Sequence, residues 1–361
     1  MSSALFKKIL VINPFGIGDV IFSMYLVEAI KKEIPEARIG FLGNERTIDL
    51  LRMNRSIDFC YEFNRDEFRS LRVSNFPAFI SKALKFIQQI RKERYEAMFD
   101  LSLGREFSFV GACLGIRRRM GLDYKNRGRW LTHKIRFEGY EKKHVVDWQL
   151  ELLQFLNIEP AAVPARLPLF ISDKAKKEAE DFLAQSGARR GNAFFSLAPG
   201  GGKSWGLNAI YKQWAPERFA KVVNDFGRSN SAVALMLGDR GEKELLEELK
   251  KKLTVPAIVI AGQSLEMVAA FLSMSQFLLG NDGGLLHLAN ALGVKSVSIY
   301  GPVDETVYGP YNTDVMHEIL TEAVPCRPCY QKFHFPPCEH ARRCLEELSP
   351  EKVLAAMNKI S

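Results

Sequence analysis

Phe277-Leu278-Leu279-Gly280-Asn281-Asp282-Gly283-Gly284-Leu285-Leu286-His287-Leu288-Ala289 packs a strand, a turn and a helix start into one short run. Phe277–Leu279 is continuously apolar, as a strand covered on both faces must be. The glycines break it, and the residues that follow place apolar side chains at helical spacing. Gly283 and Gly284 leave the first helical amides bare, so the positive end of the helix can hold a pyrophosphate. Asp282 and His287 flank the turn. A carboxylate beside an anion site is unfavourable unless it serves a hydroxyl or a cation. The structural alternative is that Asp282 caps the helix and His287 sits in a satisfied buried pair.

The same pattern extends outward in both directions. Ser296–Ile299 follows as a further strand, and Ala193–Leu197, Ala232–Leu237 and Ala257–Ile260 precede it, with a helix after Pro216. In the first half, Phe6–Ile12, Ala37–Leu42, Ile57–Phe63 and Ala97–Leu101 are predicted strands. Helical spacing marks Asp19–Glu33, Ala78–Arg94 and Val145–Leu156. Between the halves lies 159–168, with prolines at 160, 164 and 168, as suits a linker. The expected architecture is α/β: two doubly wound domains, 1–160 and 169–345, then a C-terminal helix in 346–361. That last helix is expected over Ser349–Ile360, with Ser349 as cap and Pro350 in its first turn. Ligands should bind where strand C-terminal ends of the two domains face one cleft.

A chain of 361 residues suits two such domains, and 47% hydrophobic with 25% charged residues is globular composition. No apolar run approaches the roughly 18–20 residues of a membrane span. The N-terminal residues lack the apolar core and cleavage site of a secretory signal, so the expected compartment is the cytoplasm. A net charge of +8 favours encounters with anions of any kind. Cys60 and Cys113 lie in apolar stretches and read as core residues.

Two further glycine loops exclude familiar functions. Asn13-Pro14-Phe15-Gly16-Ile17-Gly18-Asp19-Val20-Ile21 follows the first strand, but Ile21 replaces the third glycine of a dinucleotide fingerprint. The second strand ends Phe41-Leu42-Gly43-Asn44, without the ribose-binding acid. This argues against a nicotinamide dehydrogenase. The loop instead places Asp19 at a helix start, either as a cap or as an acid–base carboxylate. Pro199-Gly200-Gly201-Gly202-Lys203-Ser204 is not a triphosphate loop, because Leu197 stands where its first glycine is required. It still permits close backbone approach to a phosphate or sugar.

Gly18-Asp19-Val20-Ile21, Lys212-Gln213-Trp214-Ala215-Pro216-Glu217-Arg218-Phe219 and Asp282-Gly283-Gly284-Leu285-Leu286-His287-Leu288-Ala289, in this order, resemble glycosyltransferase family nine. That family contains the ADP-heptose:lipopolysaccharide heptosyltransferases. The resemblance implies GT-B architecture, with the acceptor on the N-terminal domain and the nucleotide-sugar donor on the C-terminal one. It implies Asp19 as catalytic base, Lys212 on the donor phosphates and Glu242 on the ribose. Asp282, Gly283, Gly284 and His287 then belong to the diphosphate-binding segment. The family usually has Thr or Ser where this chain has Gly283. An inverting transfer needs one base for the acceptor hydroxyl and positive charge for the departing diphosphate. No Asp-x-Asp pair occurs in the chain, so no metal cofactor is expected in catalysis.

Arg117-Arg118-Arg119, Lys125, Arg127, Arg129, Lys134 and Arg136 crowd one stretch. With the family in view they are candidate contacts to an anionic glycolipid acceptor of the lipid A–Kdo type, or to the inner membrane surface. Nucleic acid is disfavoured, since no stacking platform or known motif accompanies the charge. Cys326, Cys329, Cys338 and Cys344 form a C-x2-C-x8-C-x5-C series. Four thiols in a reducing compartment suggest structural zinc, with free thiols or an oxidation-made bridge as alternatives. Two other functions fit the fold. A sugar-nucleotide epimerase would leave the basic stretch unexplained. A non-enzymatic anion-binding protein would not hydrolyse a donor.

Overall fold

The computed structural model describes residues 6–159, 163–164, 166–189, 191–311 and 314–361. The chain divides into two compact units, Met1–Pro168 and Leu169–Ser361. Of the expected proline linker, residues 160–162 and 165 lie outside the described residues.

In the N-terminal unit the strands are β1 (Lys8–Ile12), β2 (Arg38–Gly43), β3 (Phe59–Glu62), β4 (Ala97–Asp100), β5 (Arg118–Tyr124) and β6 (His133–Phe137). Its helices are α1 (Ile17–Glu33), α2 (Ile48–Met53), α3 (Arg65–Ser74), α4 (Phe76–Glu93), α5 (Glu106–Cys113) and α6 (Val145–Leu150). The expected single helix over Val145–Leu156 is α6 followed by a 3-10 stretch, Glu151–Leu156. The strands pair in parallel in the order β3-β2-β1-β4-β5-β6.

The C-terminal unit repeats the plan. Its strands are β7 (Ala193–Ala198), β8 (Ala232–Gly238), β9 (Ala257–Ala261), β10 (Phe277–Asn281), β11 (Lys295–Ile299) and β12 (His317–Leu320). Its helices are α7 (Asp173–Gln185), α8 (Pro216–Asn230), α9 (Lys243–Lys251), α10 (Leu265–Ser273), α11 (Gly284–Ala291), α12 (Glu305–Tyr308), α13 (Arg343–Glu346) and α14 (Pro350–Ile360). The order β12-β11-β10-β7-β8-β9 is again all parallel. These are two doubly wound, Rossmann-like sheets.

Burial explains why the apolar strands were readable. Every residue of β8 is buried, as a parallel strand covered on both faces requires. Phe195, Phe226 and Phe277 meet at ring distances of 5.2–5.6 Å in the second core. Each such side chain stabilises the fold by roughly 1.5–3 kcal/mol. Val353, Met357 and Ile360 of α14 join that same core, so the last helix is part of the second unit. Ser349 accepts from the Lys352 amide at 3.3 Å and caps it. Cys113 is exposed at the end of the short helix α5, and Cys60 is only partly buried on β3, an edge strand; neither is a core residue.

Three strands were not expected: β5, β6 and β12. The first two fall in the basic stretch, where Arg118, Arg119, Lys134 and Arg136 break up the apolar residues and leave no continuous apolar run. No helix among the described residues is long and apolar enough to cross a membrane.

Candidate active site

At the C-terminal end of β1 the chain must leave the sheet and start α1 within a few residues. Buried Asn13 organises this turn. Its Nδ2 donates to Asp19 O at 3.0 Å and to Ser23 Oγ at 2.6 Å, while its Oδ1 accepts from the Phe15 amide at 3.2 Å. Asn44, at the end of β2, donates to Pro14 O and Phe15 O from the other side. Asp19 stands in the first turn of α1, and Gly16 is the N-cap. Its Oδ2 accepts from the Gly16 amide at 3.2 Å, and the residue is half-buried. Asp19 therefore closes the helix start from inside the first turn, with its carboxylate in partial contact with solvent.

The β10–α11 turn is built differently. Asn281 closes β10 with its side chain buried. Its Nδ2 donates to Pro199 O at 2.7 Å and to Gly200 O at 3.3 Å, and its Oδ1 accepts from the Trp214 amide at 3.1 Å. One amide thus ties together the second glycine loop, the Lys212–Trp214 segment and the β10 turn. Lys212 Nζ lies 2.6 Å from Asp282 Oδ2, and both side chains are buried. The pair is an ion contact outside hydrogen-bond angles. His287 Nε2 is 3.9 Å from the other oxygen of Asp282. Trp205 lies against the Lys212 ammonium, 4.7 Å from ring centroid to nitrogen, and packs on Tyr330 and Phe335.

The N-cap of α11 is Gly283, and no side chain caps this helix. Asp282 is therefore not the cap; its carboxylate is turned to Lys212. The bare first turn beside a lysine is an arrangement that stabilises an anion. Glu242 enters the same loop cluster. Its Oε2 accepts from the Asp239 amide at 3.0 Å, and a β-carbon on Gly200 would collide with its carboxylate. Gly200 is thus required for this approach.

Of the basic stretch, Arg118 and Arg119 are committed to the backbone. Arg118 donates to Phe155 O at 2.6 Å, and Arg119 to Trp130 O at 2.6 Å and to Ile116 O. Burial holds the Arg119 guanidinium below its usual pKa. Lys134 pairs with Asp123 at 2.7 Å. Arg117 remains exposed. Lys125, Arg127, Arg129 and Arg136 are exposed as well.

Cys326, Cys329, Cys338 and Cys344 share one neighbourhood. Cys329 Sγ lies 2.9 Å from Cys326 O, and Cys338 Sγ accepts from the Arg342 amide at 3.4 Å. Burial, then the other three thiols, pushes the Cys329 thiol up to about 11. Among the described residues, however, no three His, Cys, Asp or Glu side chains converge as metal ligands do. The expected zinc finds no preassembled ligand set there.

Asn13, Asn281 and Trp205 were not anticipated. Asn13 directly follows an apolar strand and Asn281 ends one, which is the signal that could have marked them.

Residues 83–335 match the family model of glycosyltransferase family 9 (heptosyltransferase). The chain is 28% identical over 367 residues to lipopolysaccharide heptosyltransferase 1 of Pseudomonas aeruginosa, covering 96% of each. It is 21% identical over 308 residues to lipopolysaccharide heptosyltransferase 3 of Escherichia coli, covering 83% of this chain and 85% of that one. Its fold is similar to the solved structure of E. coli ADP-heptose lps heptosyltransferase II, with a TM-score of 0.75, 18% identity and 98% coverage of both chains.

Proposed function

The chain belongs to glycosyltransferase family 9 and is a glycosyltransferase; from that premise we propose inverting transfer of a heptose from an ADP-sugar to a lipopolysaccharide core acceptor of the lipid A–Kdo type. The observation that carries this reading is the buried Lys212–Asp282 pair beside the uncapped start of α11. It offers a cation and bare amides where a departing diphosphate needs them. The heptose and the ADP are supported by the names of the relatives the chain resembles.

In the proposed step the Asp19 carboxylate takes the proton of an acceptor hydroxyl. The hydroxyl oxygen forms the new bond to the anomeric carbon on the face opposite the diphosphate. The bond from that carbon to the diphosphate oxygen breaks, and its electron pair leaves with ADP. Lys212 and the α11 amides stabilise the charge that develops on that oxygen, and no metal cofactor is assigned a role. Asp282 holds Lys212 in place, Glu242 is assigned to the ribose, and the amides of Gly283 and Gly284 to the phosphates. His287 is assigned to the same donor segment. The site of action is proposed to be the cytoplasmic face of the inner membrane, where such an acceptor presents its sugar.

The test is a thermal-shift panel of ADP-, UDP- and GDP-sugars, followed by mass spectrometry of the acceptor. ADP-heptose is expected to raise the melting temperature most, and an acceptor heavier by one heptose is expected together with release of ADP. Stabilisation by UDP- or GDP-sugars instead would overturn the donor assignment. ADP release with no change in acceptor mass would overturn the transfer.

A further inference from the structure

The α3–α4 hairpin carries an apolar stripe on its outer surface. Val73, Phe76, Ile80 and Leu84 are 86%, 58%, 40% and 54% exposed. They make up four of the nine large apolar residues exposed among the described residues. At about 100° per residue, positions 76, 80 and 84 fall on one stripe of α4, and Val73 ends α3 just before it. The apolar residues of the other face are already used. Phe68, Phe79 and Phe86 pack inward around Phe63, with ring distances of 4.8–6.1 Å. No residue of α3 is buried, and only Ile90 of α4 is. The hairpin is thus anchored by its inner rings and leaves a second apolar face in water.

The rim of this face is basic. Residues 65–94 hold eight Lys or Arg against three Asp or Glu. Two of those acids are neutralised, Glu67 by Lys82 and Glu93 by Lys8. Arg65, Arg69, Arg72 and Lys85 are exposed and have no ion-pair partner among the described residues. An apolar stripe flanked by unpaired cations has the chemistry of a helix that lies in the plane of an anionic bilayer. A cationic rim repels a second copy of itself, so charge complementarity favours lipid over self-association.

We infer that the α3–α4 hairpin docks this enzyme on an anionic phospholipid surface, with Phe76, Ile80 and Leu84 entering the headgroup boundary and Arg69, Arg72 and Lys85 meeting lipid phosphates. The inference rests on the reading of the acceptor as lipid-anchored. It is preferred to the 117–136 stretch as the membrane-facing surface because that stretch lacks an exposed apolar stripe of this kind, although Arg117, Arg127, Arg129 and Arg136 are exposed there.

The experiment is co-sedimentation of the full chain with vesicles of phosphatidylethanolamine and phosphatidylglycerol, and with phosphatidylcholine alone. The wild type is expected to bind the anionic vesicles at low salt and the neutral ones at least tenfold more weakly. The triple variant Phe76→Ser, Ile80→Ser, Leu84→Ser is expected to keep its melting temperature and lose at least tenfold in partitioning. Arg69→Ala with Arg72→Ala is expected to weaken anionic binding severalfold and flatten its salt dependence. Wild-type-like binding by the triple variant would overturn the inference. So would absence of binding by the wild type, or a wild-type dimer that the triple variant dissolves. Transfer to an acceptor stripped of its acyl chains should be equal in wild type and triple variant. A wild type that binds vesicles through the hairpin yet transfers to neither acceptor leaves the docking intact and refutes the proposed function.

Discussion

The β1–α1 turn and the β10–α11 turn start from the same materials and end in opposite electrostatic states. Each leaves a central parallel strand, each is organised by a buried asparagine, Asn13 or Asn281, and each delivers an aspartate to the start of a helix. In the first, the aspartate is half-buried and accepts from the Gly16 amide of its own turn. In the second, the aspartate is buried against the Lys212 ammonium and the helix keeps its amides bare. A carboxylate in partial contact with solvent is open to an acceptor hydroxyl and can take its proton as the new bond forms. A buried carboxylate against an ammonium holds its partner in place. The first turn is suited to moving a proton, and the second to holding an anion.

The sharpest way to break this contrast is Asp19→Asn. The amide keeps the shape of the side chain but cannot take a proton. Transfer is expected to fall by roughly 10²–10⁴, the usual range for losing a general base. Donor affinity, by calorimetry with ADP-heptose, is expected to stay within a few-fold of wild type. A variant that still transfers near the wild-type rate would reduce Asp19 to a helix-start residue and erase the functional half of the comparison.

The second test separates stability from donor binding. Lys212→Ala leaves Asp282 as an uncompensated buried charge, and breaking such a pair costs about 3–5 kcal/mol. The same variant should weaken ADP-sugar binding about tenfold or more, since a charge-assisted contact contributes about 1.5–3 kcal/mol. Adding Asp282→Asn removes the stranded charge. The double variant should recover much of the melting temperature and none of the donor affinity. Recovery of both would mean that Lys212 serves Asp282 and not the donor.

Asp100 supplies a control within the N-terminal unit. It ends β4, opposite Ile12 of β1, and is as buried as Asp282 but has no ion-pair partner among the described residues. Its Oδ1 accepts from the Ser102 amide and hydroxyl, at 3.1 and 2.5 Å, and Oδ2 has no hydrogen-bond partner. Burial, opposed by these bonds, raises its pKa to about 6. Below about pH 4 the group is protonated folded or unfolded, and ionisation costs nothing. Between about pH 4 and 6 the unfolded chain ionises first, so stability falls as pH rises, and above about 6 the loss is complete. Two units correspond to about 3 kcal/mol. The difference in unfolding free energy between wild type and Asp100→Asn should therefore slope between pH 4 and 6 and flatten above. A flat difference throughout would mean that the carboxylate is solvated.

Legibility in the sequence followed the physics of each element. β8 and β10 are apolar on both faces and bounded by glycine, so their run length alone marked them. β5 and β6 were obscured because charged residues interrupt their apolar runs: Arg118 and Arg119 turn their guanidinium groups to backbone carbonyls, while Lys134 and Arg136 are exposed. Asp19, Lys212 and Asp282 were found as motif residues, but the contact between Lys212 and Asp282 spans seventy positions, and only the sheet order brings them together. Asn281 bonds to loops distant in sequence and Asn13 within its own turn; the strand-end position of each was visible in the sequence, but its partners were not. The exposed face of α4 was hidden for another reason. The spacing marked only a helix over Ala78–Arg94, whereas the rings of Phe79 and Phe86 fill one side of α4 and Phe76, Ile80 and Leu84 form another.

The smallest expected effect sharpens the second turn. Gly283 stands where the family usually carries Thr or Ser, so the diphosphate site proposed above would rely on backbone amides. Its φ of −175° is extended and open to any residue. A β-carbon there would come no nearer than 3.8 Å to Asn281 O, which is ordinary contact. Neither backbone nor space demands glycine. Gly283→Ser should therefore fold with stability within about 0.5 kcal/mol of wild type, with a few tenths of that as gain from a better N-cap. A serine hydroxyl that reaches the donor phosphate adds one hydrogen bond, about 0.5–1.5 kcal/mol, so ADP-heptose should bind about two- to tenfold more tightly. Calorimetry of the two chains with ADP and with ADP-heptose reads this directly. Tighter binding of both ligands places the diphosphate at the α11 start. Weaker binding of both would show that the phosphates occupy the space a side chain takes, and that the open glycine is itself part of the site. Unchanged binding of both would move the diphosphate away from α11, and with it the contrast between a turn that moves a proton and a turn that holds an anion.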